Sequence, residues 1–298
     1  MSSDHSPDIE LDDRLVSVIV PVGGVDLPLE EQLHALMAQQ LADPVEFIVA
    51  LNSDDPSQAA RLDALLARLA DPRFRVVPAF EVRGAAHARN VGSAAARGTR
   101  LAYCDADDRA HPTWLQNLVN ALHEFDAVGG RLIGFGLSPR HLASRPSPTP
   151  DQLPQFMGVP YIVSASMAVK RAAFEATAGW DERPGISEDI ALSWQLLSKG
   201  YTLGFAPDSC IDYRYRPGTI PMLRQGYQYG RRMSRVLMFY GVPAGEQWSK
   251  PSGVSLLRPN GQKSPASLLK TLRRGSLAAG RLGGIIETKI SQRRGNGA

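Results

Sequence analysis

The chain has 298 residues, 43% of them hydrophobic, and a formal net charge of +3, enough apolar material for one large core or two coupled subdomains. So small a charge, with the arginines gathered toward the C-terminus, argues against a nucleic-acid binder. Cys104 and Cys210 are the two cysteines, which excludes a disulfide framework and points to a reducing compartment, and no run approaches the roughly 20 apolar residues that span a bilayer.

Residues 1–14 are polar and acidic and match neither a secretory signal nor a transit peptide. They are expected as a disordered tail on a cytoplasmic protein. Residues 16–20 read as a strand stopped by Pro21, and 29–40 as a helix. Residues 45–51 form an almost wholly apolar second strand, as expected of a parallel strand covered on both faces. Asp55 and Pro56 give a cap and first turn, followed by Leu62, Leu65, Leu66 and Leu69 at helical spacing. A third strand at 74–77, a small-residue helix at 84–96 ended by Gly98, and a fourth strand at 101–104 complete an alternation that gives a parallel sheet with helices on both faces.

After Gly129 and Gly130 the texture changes. Residues 131–137 read as a strand, and 138–160 carry six prolines and little periodicity, as in a lid or binding loop. A strand at 161–169, a short helix at 171–178 and a clearer helix at 187–199 follow. Residues 264–294 mix leucine and isoleucine with lysine and arginine. That pattern suits a helix lying on an anionic membrane surface, and equally a helix packed on the protein with its arginines in water.

Charge appears abruptly at the end of the fourth strand, as Asp105, Asp107 and Asp108. Side chains two apart in an extended segment point the same way, so Asp105 and Asp107 can converge on one ligand. Two carboxylates about 4 Å apart repel by roughly 4 kcal/mol at an effective dielectric of about 20. Such a pair calls for a cation, and Mg²⁺ or Mn²⁺ suits oxygen ligands. The same tetrapeptide also suits a solvated turn capping the next helix, which His111 and Pro112 enter. Its place beyond a parallel strand, where ligands of such sheets sit, favours the metal. Further along, Ser187 fits a helix N-cap, and Glu188 and Asp189 suit a first turn through the helix dipole alone. If Asp189 faces a cleft, it is a suitable general base for an incoming hydroxyl. His87 reads as structural or surface rather than catalytic. Tyr227, Tyr229, Arg231, Arg232 and Arg235 fit either an acceptor or lipid-facing groove or a helix with a solvated basic face.

Taken in order, residues 16–22 (VSVIVPV), Arg83-Gly84, residues 88–92 (ARNVG), Asp105-Ala106-Asp107-Asp108, Lys170-Arg171 with Phe174, Gly179-Trp180-Asp181-Glu182 and Glu188-Asp189 resemble a family 2 glycosyltransferase over about residues 15–240. The resemblance implies a GT-A fold, with a Rossmann-like, mostly parallel sheet and here a C-terminal helical extension. It implies a nucleotide-sugar-binding half at 15–130, an acceptor half at 131–240, and an extension at 241–298 that is membrane-peripheral or partly disordered. The activity implied is inverting transfer of a sugar from a UDP, dTDP or GDP donor to a saccharide, lipid-linked or small-molecule acceptor, with Mg²⁺ or Mn²⁺, in cell-envelope or polysaccharide synthesis. By resemblance Asp189 is the base and Asp107 the metal ligand. Pro21, Val22, Asn52, Asp54, Arg83, Arg89, Asn90 and Asp105 contact the donor, and Trp180, Asp181 and Glu188 the acceptor.

Two departures from the family pattern stand out. An acidic motif common after the second strand is replaced by Asn52-Ser53-Asp54-Asp55, so Asn52 or Asp54 takes the place of the base-binding acid. The metal-binding histidine common after the last core strand is absent from residues 211–216. The metal is then held by Asp107, diphosphate and water, or by Asp212, and Arg214 and Arg216 are candidates to supply charge to the diphosphate. The alternative to an enzyme is a non-catalytic nucleotide-sugar-binding or scaffold protein on this fold. A nucleotidyltransferase lacks support, since no Gly-rich phosphate loop with an attendant lysine stands near the first strand.

Overall fold

Alternation along the strands sets the layers. The computed structural model describes residues 11–134, 137, 147–149, 151–183, 185–215, 218–242 and 265–295. Its first elements are β1 (Asp12–Val22), α1 (Leu27–Met37), β2 (Val45–Leu51), α2 (Pro56–Leu69), β3 (Phe74–Pro78), α3 (Ala85–Ala95) and β4 (Gly98–Cys104). There follow β5 (Arg109–Ala110), α4 (Trp114–Ala121), β6 (Ala127–Ile133), a small hairpin of β7 (Gln155–Phe156) and β8 (Val159–Pro160), β9 (Ser166–Lys170), α5 (Arg171–Glu175), α6 (Glu188–Ser198) and β10 (Leu203–Asp212). One sheet runs β3-β2-β1-β4-β9-β6-β10-β5. Its strands are parallel except at β9, which runs against β4 and β6, and at β5, which runs against β10.

Val16, Val18, Val20 and Val22 point to one face, where Leu29, Leu33 and Leu36 of α1, Leu62 and Leu65 of α2, and Trp114 and Leu118 of α4 bury them. Ile19, Ile48, Leu101 and Tyr103 point to the other, against Phe174 of α5 and Leu192 and Leu196 of α6. This period-2 division makes a three-layer sandwich from strands apolar on both sides.

The boundary expected after Gly130 falls inside β6, and both halves share one sheet. The two glycines mark close packing rather than a break. A Cβ on Gly129 would stand 2.8 Å from a methyl of Leu153, and one on Gly130 would stand 2.7 Å from the carbonyl of Ser209 and run into the Ser166 hydroxyl. β1 starts at Asp12, so the tail expected over 1–14 gives way to strand before Val16. The strand expected from 161 is confined to β9, and the proline-rich stretch contains the β7-β8 hairpin, with residues 138–146 and 150 outside the described ones.

At the N-terminal edge of the sheet a carboxylate is buried on purpose-built partners. Glu46 accepts from the Ser17 hydroxyl at 2.7 Å and the Arg97 backbone N–H at 2.7 Å, and pairs with Arg75 at 3.2 Å and Arg97 at 3.1 Å. Burial alone would raise its pKa, but these donors outweigh it and hold the carboxyl below its ordinary value.

The C-terminal part consists of α7 (Thr219–Tyr240) and α8 (Pro265–Gly295). Contacts advance in the same direction along both helices. Gly226 meets Ser276, Gly230 meets the backbone of Leu277 and Arg281, and Arg231 pairs with Glu287 at 2.5 Å, so the helices run parallel. Gly226 and Gly230 face Gly280 and Gly284, two glycines four apart on each helix. A Cβ on Gly280 would run into the Tyr227 carbonyl, and one on Gly284 would stand 2.8 Å from the Arg231 carbonyl. Small residues at this spacing let two helix backbones touch. Among the described residues no helix is long and apolar enough to cross a membrane.

Because the Glu46 carboxyl is held low, its stabilisation is present above its unfolded value near pH 4.5 and is lost as pH falls through the lower folded value. Glu46→Gln is therefore expected to lower stability at neutral pH by about 1–3 kcal/mol and to flatten the acid side of the stability profile, read from urea unfolding midpoints between neutral and acid pH.

Candidate active site

A cavity of about 690 Å³ opens beyond the C-terminal ends of β1 and β4. Its floor is Pro21, Gly23 and Gly24 after β1 and Asp105 to Asp107 after β4. Parallel strands end here together, so the crevice outside them collects whatever side chains follow each strand.

Arg89 organises this floor. Its side chain, 3% exposed, projects from α3 between β4 and α6. Nη2 donates to Asp105 Oδ1 at 2.8 Å, Nη1 lies 3.6 Å from Glu188 Oε1, and the guanidinium sits 5.0 Å from the centre of the Trp180 ring. A buried charge requires compensation of this kind. The short small-residue helix lets the arginine lie flat on the sheet: Gly92, one turn on, packs directly against Ile19.

Asp105, Asp107 and Asp108 each offer a carboxylate oxygen within 4.8 Å of the others. Asp108 is buried, accepts the Arg214 backbone N–H at 2.8 Å on Oδ1, and has an Oδ2 that is buried without a hydrogen-bond partner. Burial first, then the neighbouring Asp105 and Asp107, push its carboxyl well above the ordinary range, with the Arg214 contact opposing. An orphaned buried oxygen beside two more carboxylates fits a divalent cation with oxygen ligands. Asp108 thus belongs to one cluster with Asp105 and Asp107.

Across the cavity, Asp189 opens α6. Ser187 occupies the N-cap position but donates its hydroxyl to Asp189 Oδ1 at 3.0 Å instead of capping the helix. The Ile190 backbone N–H donates to the same oxygen at 2.9 Å. Desolvation first and the adjacent Glu188 second push Asp189 up to about 6, against these two donors and Arg89. A carboxylate tuned toward neutrality in a cleft is suited to taking a proton.

Of the residues expected at the site, Pro21, Arg89, Asp105, Asp107, Glu188 and Asp189 line this one cavity. Others have different duties. The Val22 side chain is buried in the core. Asn52 donates to the carbonyls of Ala79 and Val82, the latter at 2.8 Å, and accepts from the Gly84 N–H at 2.8 Å. Its amide thus fastens the loop that starts α3 and has no polar atom left for a base. Asp54 and Arg83 stand largely in solvent, 3.7 Å apart. Asn90 clamps the backbone of Trp180 and the carboxylate of Glu182.

Trp180 is 1% exposed, edge-on to Tyr103, and closed to any acceptor. Asp181 is held by Arg183 and by the Tyr240 hydroxyl at 2.8 Å. Asp212 is not available to a metal, since Arg109 at 2.7 Å and His111 at 3.1 Å hold it. Arg214 braces the metal loop by donating to the Asp107 carbonyl and pairing with Glu31 at 2.6 Å, and is not aimed at a diphosphate. Arg216 lies outside the described residues. His87 is structural as read: it bridges Glu182 at 2.9 Å and Glu81 at 3.2 Å. Burial works against its charge, but these carboxylates raise its pKa.

The upper wall comes from the C-terminal helices. Tyr229 and Arg232 of α7 line the cavity as one of their two readings had it, whereas Arg231 and Arg235 turn to Glu287 of α8. Arg273 and Leu277 of α8 and Asp26, Tyr161 and Tyr213 also line the cavity without having been singled out. The only signal for Arg273 was the pair of glycine repeats that bring α8 onto α7.

A family model described as Glycosyl transferase family 2 matches residues 17–177, and the chain belongs to that family. Over 117 residues it is 34% identical to the uncharacterized glycosyltransferase EpsJ of Bacillus subtilis, covering 39% of this chain and 33% of that protein. It is 29% identical over 185 residues to the succinoglycan biosynthesis protein ExoO of Rhizobium meliloti, covering 56% and 52%. The chain thus spans from a third to about half of the length of these relatives. Among solved structures it resembles the mannosyltransferase PcManGT from Pyrobaculum calidifontis, solved in complex with GDP-Man and Mn²⁺, with a TM-score of 0.59 and 19% identity over 96% of this chain and 78% of that one. That likeness establishes the GT-A fold.

Removing the Arg89 charge leaves Asp105 and Glu188 facing each other across the floor. Arg89→Met should cost about 3–5 kcal/mol, the usual penalty for breaking one side of a buried ion pair, measured as a fall in the denaturant midpoint with the far-ultraviolet spectrum retained.

Proposed function

We propose that this chain transfers a sugar from a nucleotide-diphosphate donor to an acceptor hydroxyl with inversion, using Asp189 as the base. The observation that carries the reading is the placement of a carboxylate raised to about 6 across one cavity from the Asp105-Asp107-Asp108 cluster, with Arg89 spanning the two. Asp189 takes the proton of the acceptor hydroxyl as its oxygen attacks the anomeric carbon, and the bond from that carbon to the diphosphate oxygen breaks on the opposite face. Asp105, Asp107 and Asp108 are the residues that would hold Mg²⁺ or Mn²⁺. A divalent ion there supplies positive charge toward the departing diphosphate. The Mn²⁺ in the PcManGT complex supports that assignment, and its GDP-Man supports a donor among the UDP, dTDP and GDP sugars.

With Asn52 tied to the α3 loop, Asp26 beside Gly24 is the acid left on the donor side of the cavity. The name of ExoO favours a polysaccharide or envelope acceptor, whether saccharide, lipid-linked or small. Exposed Leu272, Leu282, Ile285 and Ile286 with Arg274 on α8 support peripheral contact with the inner face of a membrane.

Incubation with UDP-, GDP- and dTDP-sugars, Mn²⁺ and an acceptor panel should release nucleotide only with a matching pair. Asp189→Asn is expected to lower transfer by about 10²–10⁴-fold while nucleotide binding persists; full activity in this variant would refute the base. Transfer should fall about tenfold per pH unit below about pH 6, where Asp189 is protonated, and the variant's residual rate should lose that limb. Asp107→Ala should abolish the dependence of nucleotide affinity on Mn²⁺, followed by calorimetry.

A further inference from the structure

The described arginines on the inner sides of α7 and α8 fall into two groups. Those on the seam or beyond it have partners: Arg231 and Arg235 pair with Glu287, and Arg281 lies 5.2 Å over the Phe156 ring. Arg232 and Arg273 instead line the cavity. Among the described residues neither has a carboxylate within 4.0 Å, and Arg232 Nε, like Nε of Arg231 and Arg281, is buried with no hydrogen-bond partner. The third arginine of the cavity, Arg89, is already engaged by Asp105 and Glu188. Among the described residues, two half-buried guanidinium groups therefore line the cavity without a carboxylate partner, an arrangement that favours entry of an anion.

Their position says which substrate brings it. The carboxylates that would hold a metal lie at the end of β4, on the donor side. Arg273 stands on the other side, on the turn of α8 that packs against Gly226 of α7, and Met233, next to Arg232, packs on the cluster that holds Ile186 and Ile190 on either side of Asp189. Leu277, one turn along α8, and Met233, next to Arg232, give this end an apolar lining. Resting on the transferase reading above, we propose that the acceptor carries an anionic group, a phosphate or carboxylate, and that Arg232 and Arg273 hold it at the Asp189 end of the cavity. The arginines place the acceptor hydroxyl by its charge and leave the donor diphosphate to the β4 side.

The full-length protein is first titrated with UDP, GDP and dTDP in Mn²⁺. With the tightest of these saturating, it is titrated with phenyl phosphate, benzoate and phenol. The anions should bind and phenol should not. Arg232→Gln and Arg273→Gln should each weaken phenyl phosphate by about tenfold or more, the loss of one charge-assisted contact, with nucleotide affinity unchanged. Arg232→Lys and Arg273→Lys should give intermediate affinity, which separates lost charge from lost folding, as should unchanged melting temperatures. Vesicles of phosphatidylcholine with and without polyprenyl phosphate distinguish the source of the anion. Binding dependent on the polyprenyl phosphate and on both arginines indicates a lipid-held acceptor, whereas response to phenyl phosphate alone indicates a soluble one. Equal loss of nucleotide and phenyl phosphate affinity would assign the arginines to the donor and overturn the proposal, as would binding of phenol as tight as that of phenyl phosphate. If no nucleotide binds at all, the transferase reading fails, and the anion titration, run without nucleotide, still decides the arginine site.

Discussion

The cavity depends on one buried guanidinium. Arg89 joins the end of β4 to the start of α6 by touching Asp105, Glu188 and the Trp180 ring at once. Without it, the carboxylates after β4 and those of α6 would share a small volume with nothing of opposite sign between them, and repulsion would open the cleft. With it, the distance between the Asp105-Asp107-Asp108 cluster and the Asp189 end is fixed by a planar, always charged group that two carboxylates and an aromatic face hold in place. The rest of α3 serves the same purpose. Asn90 and His87, on neighbouring faces, fasten the turn at 179–182. A single short helix thus sets the relation between the two halves of the protein.

The electrostatic pattern follows from where backbone N–H groups are available. Asp189 has two local donors and still lies near neutrality, because Glu188 is adjacent and water is excluded. Glu46, also desolvated, is held on the other side of its ordinary value because it has four donors, two of them guanidinium N–H groups. Burial has the same sign at both sites; the count and charge of the donors decide the direction. Asp189 is the carboxylate left short of partners.

Much of this was legible in the sequence. Apolar strands alternating with amphipathic helices identified β1 to β4 and the helices between them, since each signal is local. The abrupt acids after β4 and the Glu188-Asp189 pair were visible for the same reason. What failed was non-local. Gly129 and Gly130 read as a boundary because sequence does not show the Ser209 backbone and Leu153 pressing on them. Trp180, an acceptor contact by resemblance, is buried through Tyr103 and Arg89, which are distant from it in sequence. Asn52, Asp212 and Arg214 carry the right chemistry for ligands, yet each is held by partners distant in sequence. Arg273 was invisible because it reaches the cavity only through contacts between two helices that sequence shows merely as glycine-rich.

Those facing glycines also bear on the order in which the protein is made. The donor side of the cavity is built from residues before 110, and the sheet that carries it is complete at Asp212. The wall formed by α8 is translated after all of it and can dock only where backbone meets backbone. A nascent chain therefore can complete the crevice at the strand ends before α8 has emerged, since folding proceeds from the N-terminus during synthesis. The two walls of the cavity are thus completed at different times in synthesis.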